Sequence, residues 1–431
     1  MPKERILSAI DIGSSKICCI VVSLSDEKVS VIGNATIPSS GIDRGVVNDI
    51  DKAVEAISQA IEKAEKMAGH AISSAIVTIN GQHIQSENST GVVAVSEASG
   101  EITWQDIMRV NEAAQAITIP ANREVIHVIP RDYVVDSQKN IKNPEGMSGI
   151  RLEVEAHIIH ASTTILKNLT KCVKQVGVDV SDLVYTALAS SHAVLTDTER
   201  ELGTVLIDMG GRTMSCIVYQ NGAPVYSFVV PVGGKHITGD IAVGLRCSLD
   251  TAEKIKLRFS KNEEQQDLPD VLGAEEALKK GELYVGDIDP DLNTVPKRFL
   301  EKIINQRLEE MFSLVNLELS KAGYAVSKNS EGNLHTGLPA GAILTGGASQ
   351  TKQATEVAKK VLHIPVRLAQ PRGLTGLIDE IDGPAYSAAV GSILFKSENM
   401  EEDSFKGTSL GNIKVKGLLD KLKGLLKALI P

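Results

Sequence analysis

The chain has little aromatic content: 3 % of its 431 residues, with one tryptophan, Trp104. Proteins that grip single-stranded nucleic acid stack bases on aromatic side chains, and the supply here is thin. An excess of positive charge is also missing. Forty-five Lys and Arg stand against 54 Asp and Glu, a formal charge of −9, the wrong sign for a general phosphate-backbone binder. Nucleic acid is therefore not an expected partner. The five cysteines (Cys18, Cys19, Cys172, Cys216 and Cys247) contain no C-x-x-C pair. Their odd number, with three in apolar strand-like runs, predicts buried, reduced thiols. His157 and His160 lie three apart on a presumed strand, hence on opposite faces, and no zinc site is expected. There is no G-x-x-x-x-G-K-[ST] loop, no dinucleotide-binding G-x-G-x-x-G after a strand and no serine on a nucleophile elbow. Met1 to Ser8 lacks an apolar signal-peptide stretch, and no apolar run reaches the roughly 18 residues of a spanning helix. Neither secretion nor a membrane span is expected.

What the chain does have is a core: 42 % hydrophobic and 23 % charged residues, a globular composition long enough for roughly two to four domains. Its organising stretch is Ser8-Ala-Ile-Asp-Ile-Gly-Ser-Ser-Lys-Ile-Cys-Cys-Ile-Val-Val22. An apolar strand ends in Asp11, turns on Gly13, Ser14 and Ser15, and a second apolar strand follows, which predicts a hairpin. Gly13 allows a ligand close to bare backbone, and the amides and hydroxyls of the two serines suit phosphate oxygens. Asp11 repels phosphate unless a divalent cation such as Mg²⁺ lies between them. Thr204 to Val218 repeats the pattern, with Asp208, Gly210, Gly211 and Thr213 in the corresponding places. A duplicated domain with two hairpins facing one polyphosphate is the expectation.

Along the chain, residues 1 to about 84 read β-β-β-α-β, with a helix over Asp49–Ala68 capped near Asn48 and stopped at Gly69. Residues 85–162 read as a compact α+β unit inserted into the first domain, with a helix from about Thr103 and strands at Gly91–Val95, Glu124–Pro130, Asp132–Asp136 and Arg151–His160. The first domain resumes with a helix at Thr163–Gly177 and a strand at Ser181–Tyr185. The second half adds helices at Ile237–Leu245, Asp250–Leu257 and Phe299–Gly323, a strand at Gly341–Thr345, a helix through Lys360 and a last core helix at Ala385–Phe395.

A third glycine site, Leu344-Thr-Gly-Gly-Ala-Ser349, joins a strand to a helix start, where a flat ligand or a phosphate meets backbone. Glu253 and Lys256 share a helix face and could hold ribose hydroxyls or simply face solvent. After Lys396 the composition turns polar, and then Leu418, Leu419, Leu422, Leu425, Leu426, Leu429 and Ile430 fall on one helical stripe with Lys421, Lys423 and Lys427 opposite. Such a helix is roughly 21 Å long, too short for a ~30 Å hydrocarbon core. It would lie on an anionic membrane or dock on a protein surface.

These motifs are similar to the two phosphate motifs and the adenosine motif of the actin, Hsp70 and sugar-kinase superfamily. Ala187-Leu-Ala-Ser-Ser191 and Ala385-Tyr-Ser-Ala-Ala-Val-Gly391 resemble its connecting helices. Within it, Gly41-Ile-Asp-Arg-Gly-Val-Val-Asn48, His127-Val-Ile-Pro130, Ile141-Lys-Asn-Pro144, Leu195 to Gly203 and the basic tail resemble the FtsA family of bacterial division proteins. The resemblance covers nearly the whole chain. It implies an α/β, actin-like (ribonuclease H-like) duplicated two-lobe fold with an inserted α+β subdomain and a C-terminal amphipathic helix. The first lobe core would comprise residues 1–84, 163–197 and 362–395, and the insert 85–162. The second lobe would span 198–361, with a subdomain at about 247–330; a flexible linker over 396–416 and a membrane-targeting helix over 417–430 would follow.

The implied cofactors are ATP and Mg²⁺. Asp11, Gly13, Ser14, Ser15 and Lys16 would meet the phosphates from one side, and Asp208, Gly210, Gly211 and Thr213 from the other. Asp11 and Asp208 would hold the metal, mostly through water; Gly346, Gly347 and Ala348 would meet adenosine, with Gly234 beside them and Glu253 and Lys256 at the ribose. Implied partners are the C-terminal peptide of the tubulin-like protein FtsZ, at Arg307, other copies in an actin-like filament, anionic lipid, and later division proteins at the insert. The implied place is the cytoplasmic face of the inner membrane at the division site. Two departures stand out. Arg212 occupies a position that is often a third glycine, and Tyr185-Thr186 stand where relatives often keep a carboxylate that orients water. Without that base, about 10²–10⁴-fold of assistance is lost, so nucleotide binding with at most slow turnover is expected. An actin-like pilus-assembly adaptor and a small-molecule kinase of the same superfamily are the alternatives.

Overall fold

The computed structural model describes residues 5–25, 28–117, 119–261, 280–328 and 334–407. The expected first hairpin is there: β1 (Arg5–Ile12) pairs antiparallel with β2 (Lys16–Ser25), which pairs antiparallel with β3 (Lys28–Pro38). Helix α1 (Ile50–Ala68) follows. Its cap is Asp49, whose side chain accepts from the Lys52 amide, and not Asn48; Gly69 ends it in the left-handed conformation. Strands β4 (Ser74–Ile79) and, after the insert and helix α3 (Thr163–Gln175), β9 (Asp179–Tyr185) extend the sheet in parallel, giving the order β3-β2-β1-β4-β9 over five of its six strands. Ile17 to Val22 are all buried. A strand covered on both faces needs a continuous apolar run rather than an alternating one.

The insert is a four-stranded antiparallel sheet of β5 (Gln85–Ala94), β6 (Arg123–Val135), β7 (Gln138–Ile141) and β8 (Arg151–Ser162), in the order β5-β8-β6-β7. The two strands read at Glu124–Pro130 and Asp132–Asp136 are one, β6, which keeps Pro130 and passes a bulge opposite Glu155 and Ala156. Helix α2 (Trp104–Gln115) covers one face, capped by Thr103 and Asp106 in a reciprocal box. Ile102, Ile107, Val110, Leu152 and Val154 form a separate core there.

The second lobe repeats the first. Strands β10 (Thr204–Met209), β11 (Met214–Gln220), β12 (Ala223–Val230), β13 (Gly341–Thr345) and β14 (Val366–Leu368) lie in the order β12-β11-β10-β13-β14, two antiparallel pairings followed by two parallel ones. The sequence reading places the return to the first lobe at residue 362. The chain stays in the second sheet through Leu368 and rejoins the first only where β15 (Thr375–Gly376) pairs with β3. Helices α6 (Gly234–Leu245), α7 (Leu249–Ser260) and α8 (Lys297–Lys321) enclose the second core with α9 (Ala354–Leu362).

Helices α4 (Thr186–Val194), which the short α5 (Asp197–Leu202) follows, and α10 (Ser387–Gly407) cross between the lobes. The latter runs on to Gly407, so the polar segment read as linker from 396 is helical over its first half. The amphipathic stripe at 417–430 lies outside the described residues. Among those residues, no helix is long and apolar enough to cross a membrane.

Candidate functional site

The two hairpin turns have the same internal bond: Gly13 N–H donates to the Lys16 carbonyl at 3.0 Å and Gly210 N–H to the Thr213 carbonyl at 2.9 Å. They also meet. A Cβ built on Gly211 would stand 2.0 Å from Ser15 Oγ, so only glycine permits this approach. Lys235 Nζ reaches from the second lobe to the Ser14 carbonyl at 2.7 Å, and Arg212 pairs with Asp43 of the first lobe at 2.9 Å. Among the described residues, the amides of Ser14, Ser15, Gly211 and Arg212 take no part in backbone hydrogen bonds. They remain available to an anion.

Both aspartates are buried where the strands end. Asp11 Oδ1 accepts from Thr78 Oγ1 at 2.6 Å, and Asp208 Oδ2 accepts from Ser190 Oγ at 2.5 Å. Burial pushes the Asp208 carboxyl up to about 7, with the Asp11 charge adding to the rise; burial also raises Asp11. The two acids therefore share one crevice, an arrangement that suits a cation or an incoming positive group. Lys16 stands in the same crevice. Its Nζ is out of solvent, has no hydrogen-bond partner among the described residues and lies 3.4 Å above the centroid of the Tyr386 ring.

The third glycine site joins them. Gly346 has φ +84°, and a Cβ there would stand 2.4 Å from Asp208 Oδ1. Its amide donates to the Pro384 carbonyl at 3.0 Å. Gly347 opens a single 3₁₀ turn, Gly347–Gln350, before α9, so the helix read through Lys360 is broken at its start. A Cβ on Gly234 would stand 2.9 Å from Ala348 Cβ and 3.7 Å from Lys256 Nζ. Lys256, almost fully buried, donates to Glu253 at 2.8 Å, to Thr238 at 2.9 Å and to the Gly234 carbonyl at 3.3 Å. Thr238 also donates to Glu253. The two ribose candidates thus form one network beside the glycine turn, with Lys256 buried and Glu253 partly exposed.

Thr78, Ser190, Lys235 and Tyr386 join the candidate site from outside the three glycine motifs. The sequence signal for Ser190 and Tyr386 is the resemblance of their segments to connecting helices. Arg307 is elsewhere, on α8, where it forms a two-point pair with Asp240 of α6 at 2.5 and 2.8 Å and a further bond to Glu310 at 2.7 Å. The Asp240 bonds raise its already high pKa. At the other departure, the buried Tyr185 hydroxyl accepts from the Cys216 amide at 3.0 Å and donates to the Phe228 carbonyl at 2.8 Å. It fastens β9 to the second lobe. The cysteines are free thiols among the described residues. His157 and His160 face different partners: His157 touches Asn88 and Ser227, and His160 touches Arg123.

Two sheets of one topology, each presenting an Asp hairpin to a shared crevice and joined by two crossing helices, define an actin-like protein. The solved PilM–PilN type IV pilus biogenesis complex shares this fold with a TM-score of 0.57 at 14 % identity, over 90 % of this chain and 98 % of that one. MreB5 of Spiroplasma citri, crystallised with AMPPNP, does so at 0.52 and 13 %, over 94 % and 100 %. In sequence, the cell division protein FtsA of Pseudomonas aeruginosa is 37 % identical over 424 residues, 97 % of each chain. That of Escherichia coli K12 is 35 % identical over 397 residues, 92 % of this chain and 91 % of its own. The family description "SHS2 domain inserted in FTSA" matches residues 81–160, and "Cell division protein FtsA" matches 205–391. The chain belongs to the FtsA family of cell-division proteins.

Proposed function

We propose that this division protein binds ATP between its lobes and assembles with its own kind as an actin-like filament on the inner face of the cytoplasmic membrane. There it tethers FtsZ filaments through their C-terminal peptide and recruits later division proteins through the insert. The observation that carries the nucleotide reading is the meeting of Ser15 and Gly211 beside the paired Asp11 and Asp208, with Gly346 against Asp208. The residues fit the ligand. Gly13, Ser14, Ser15 and Lys16 on one side, and Gly210, Gly211 and Thr213 on the other, would hold phosphate. Gly346, Gly347, Ala348 and Gly234 would meet adenosine, and Glu253 and Lys256 the ribose. That MreB5 was crystallised with AMPPNP supports the same use of the fold here.

Among the described residues, no cluster of three or more His, Cys, Asp or Glu side chains could hold a metal by itself. Asp11 and Asp208 would therefore hold Mg²⁺ together with phosphate oxygens and water, the cation supplying charge neutralisation at the phosphates. Tyr185 engages the backbone of Cys216 and Phe228 and offers no base to a water, which supports slow turnover. Calorimetric titration with MgATP tests the reading: the full chain binds, and Asp208→Asn weakens binding by about tenfold or more. A full chain that shows no saturable binding overturns it.

For the FtsZ peptide, Arg307 is the proposed contact, and an incoming carboxylate would exchange with Asp240 or Glu310. In a peptide pull-down, Arg307→Glu loses capture; equal capture would remove Arg307 from the site.

A further inference from the structure

We propose that Tyr386 is a positioning residue for the phosphate end of the cleft: its ring face holds the Lys16 ammonium in place to receive a nucleotide polyphosphate. The proposal rests on the nucleotide-binding reading above.

An ammonium has three donors and no acceptor. Among the described residues none of the three has a partner, although Nζ is shut off from water. Among the described residues neither Asp11 nor Asp208 comes within ion-pair distance of it, while both charges act on it through the crevice. A buried cation without hydrogen bonds is costly unless something replaces hydration. The replacement here is the negative face of the Tyr386 ring at 3.4 Å. That contact is attractive but leaves the donors unsatisfied. Polyphosphate oxygens would fill them with charge-assisted bonds, which are stronger. Lys16 is thus held where it gains most when an anion arrives.

The platform is tied to the other end of the site. Tyr386 closes the short turn Pro384–Tyr386, and its amide donates to the Gly383 carbonyl at 3.0 Å. In the same turn, the Pro384 carbonyl accepts from the Gly346 amide, and Ala385 Cβ would lie 3.5 Å from a Cβ on Gly347. The ring that carries Lys16 therefore hangs from the glycine turn proposed for adenosine. The two ends of a nucleotide would be read against one rigid element.

The test is equilibrium titration of the full chain with MgATP and with AMP, for wild type, Lys16→Met, Tyr386→Leu, Tyr386→Phe and the double variant Lys16→Met/Tyr386→Leu. Tyr386→Leu is expected to weaken ATP binding by about three- to tenfold and to change AMP binding by less than about twofold. Tyr386→Phe keeps the ring face and restores ATP affinity. In the Lys16→Met background, Tyr386→Leu adds no further loss, because the two act as one unit. The proposal is overturned if Tyr386→Leu weakens ATP and AMP alike, if its loss persists without Lys16, or if Phe is as poor as Leu. Should Tyr386→Leu fail to fold, a fluorinated phenyl ring at this position keeps the shape and weakens the ring face. Unchanged ATP affinity in that protein is equally fatal. A wild type that binds no adenine nucleotide overturns the parent reading as well, whereas a wild type that binds ATP with indifferent variants overturns this one alone.

Discussion

Gly391 of α10 and Ala189 of α4 meet backbone to backbone: a Cβ built on Gly391 would stand 1.9 Å from the Ala189 carbonyl oxygen. The two helices that join the lobes cross at this point, and Ser190, one residue on, holds Asp208. Any side chain at 391 pushes the helices apart and carries Ser190 away from the carboxylate. Gly391→Val is expected to lower stability by about 3 kcal/mol or more. Among the described residues, Gly239 of α6 has nothing within 4 Å of its Cβ position, so Gly239→Ala should stabilise by up to about 1 kcal/mol. Thermal melts of both variants beside wild type check the pair.

Asp208 should make the protein less stable as pH rises. Its folded carboxyl titrates at about 7 against an ordinary value near 3.8, so between those values the folded state binds the proton that the unfolded chain has lost. Stability from this group is full below about pH 4 and falls as pH rises towards 7. Asp208→Asn removes the buried charge and still accepts from Ser190. It should gain about 2–4 kcal/mol at pH 8 and nothing near pH 4. Urea unfolding at the two pH values measures this.

His157 works in the opposite direction. It is fully buried, with its ring nitrogens against Asn88 Oδ1 at 2.7 Å and Ser227 Oγ at 2.9 Å, so it joins the insert to β12 of the second lobe. Burial depresses it to about 3, and His127 likewise. Their contribution is complete above the ordinary value of about 6.5 and is lost as pH falls from there towards 3. His157→Leu should cost about 3 kcal/mol at neutral pH, because Asn88 and Ser227 lose a buried partner. It should also flatten the acid limb of a stability–pH profile.

The end of α10 sets where the basic tail can be removed. Because α10 continues to Gly407, a chain ending there keeps the whole described fold. In sedimentation with vesicles of anionic lipid, the full chain should pellet and the shortened one should stay in solution. Lys421→Glu with Lys423→Glu should weaken binding at low salt, since each lysine near such a surface contributes about 1 kcal/mol. Equal pelleting of the full and shortened chains would end the tether reading.

Several features were readable in the chain because they are local. An apolar strand, Asp-x-Gly, hydroxyls and a second apolar strand form a hairpin through neighbours in sequence; both copies, at Asp11 and Asp208, fold so. The Thr103–Asp106 capping box is local as well. Composition alone ends the last helix too early, because Glu398 to Asp403 look like a solvated linker. In the fold, Lys396 forms an ion pair with Asp182 of β9 at 2.9 Å and Glu398 bonds His192 of α4 at 2.8 Å, contacts that favour helix past Lys396 where composition alone does not.

The sequence by itself determined the duplicated strand plan, the glycine turns and the identity of the two acids, since these follow from periodicity and from residues a few positions apart. Tertiary structure alone decided what surrounds them: Thr78 on Asp11, Ser190 on Asp208, Tyr386 under Lys16 and Ser227 against His157. The reason is physical. A buried polar group must find a partner wherever the fold brings one near, and nothing in the local pattern of either partner says which distant segment that will be.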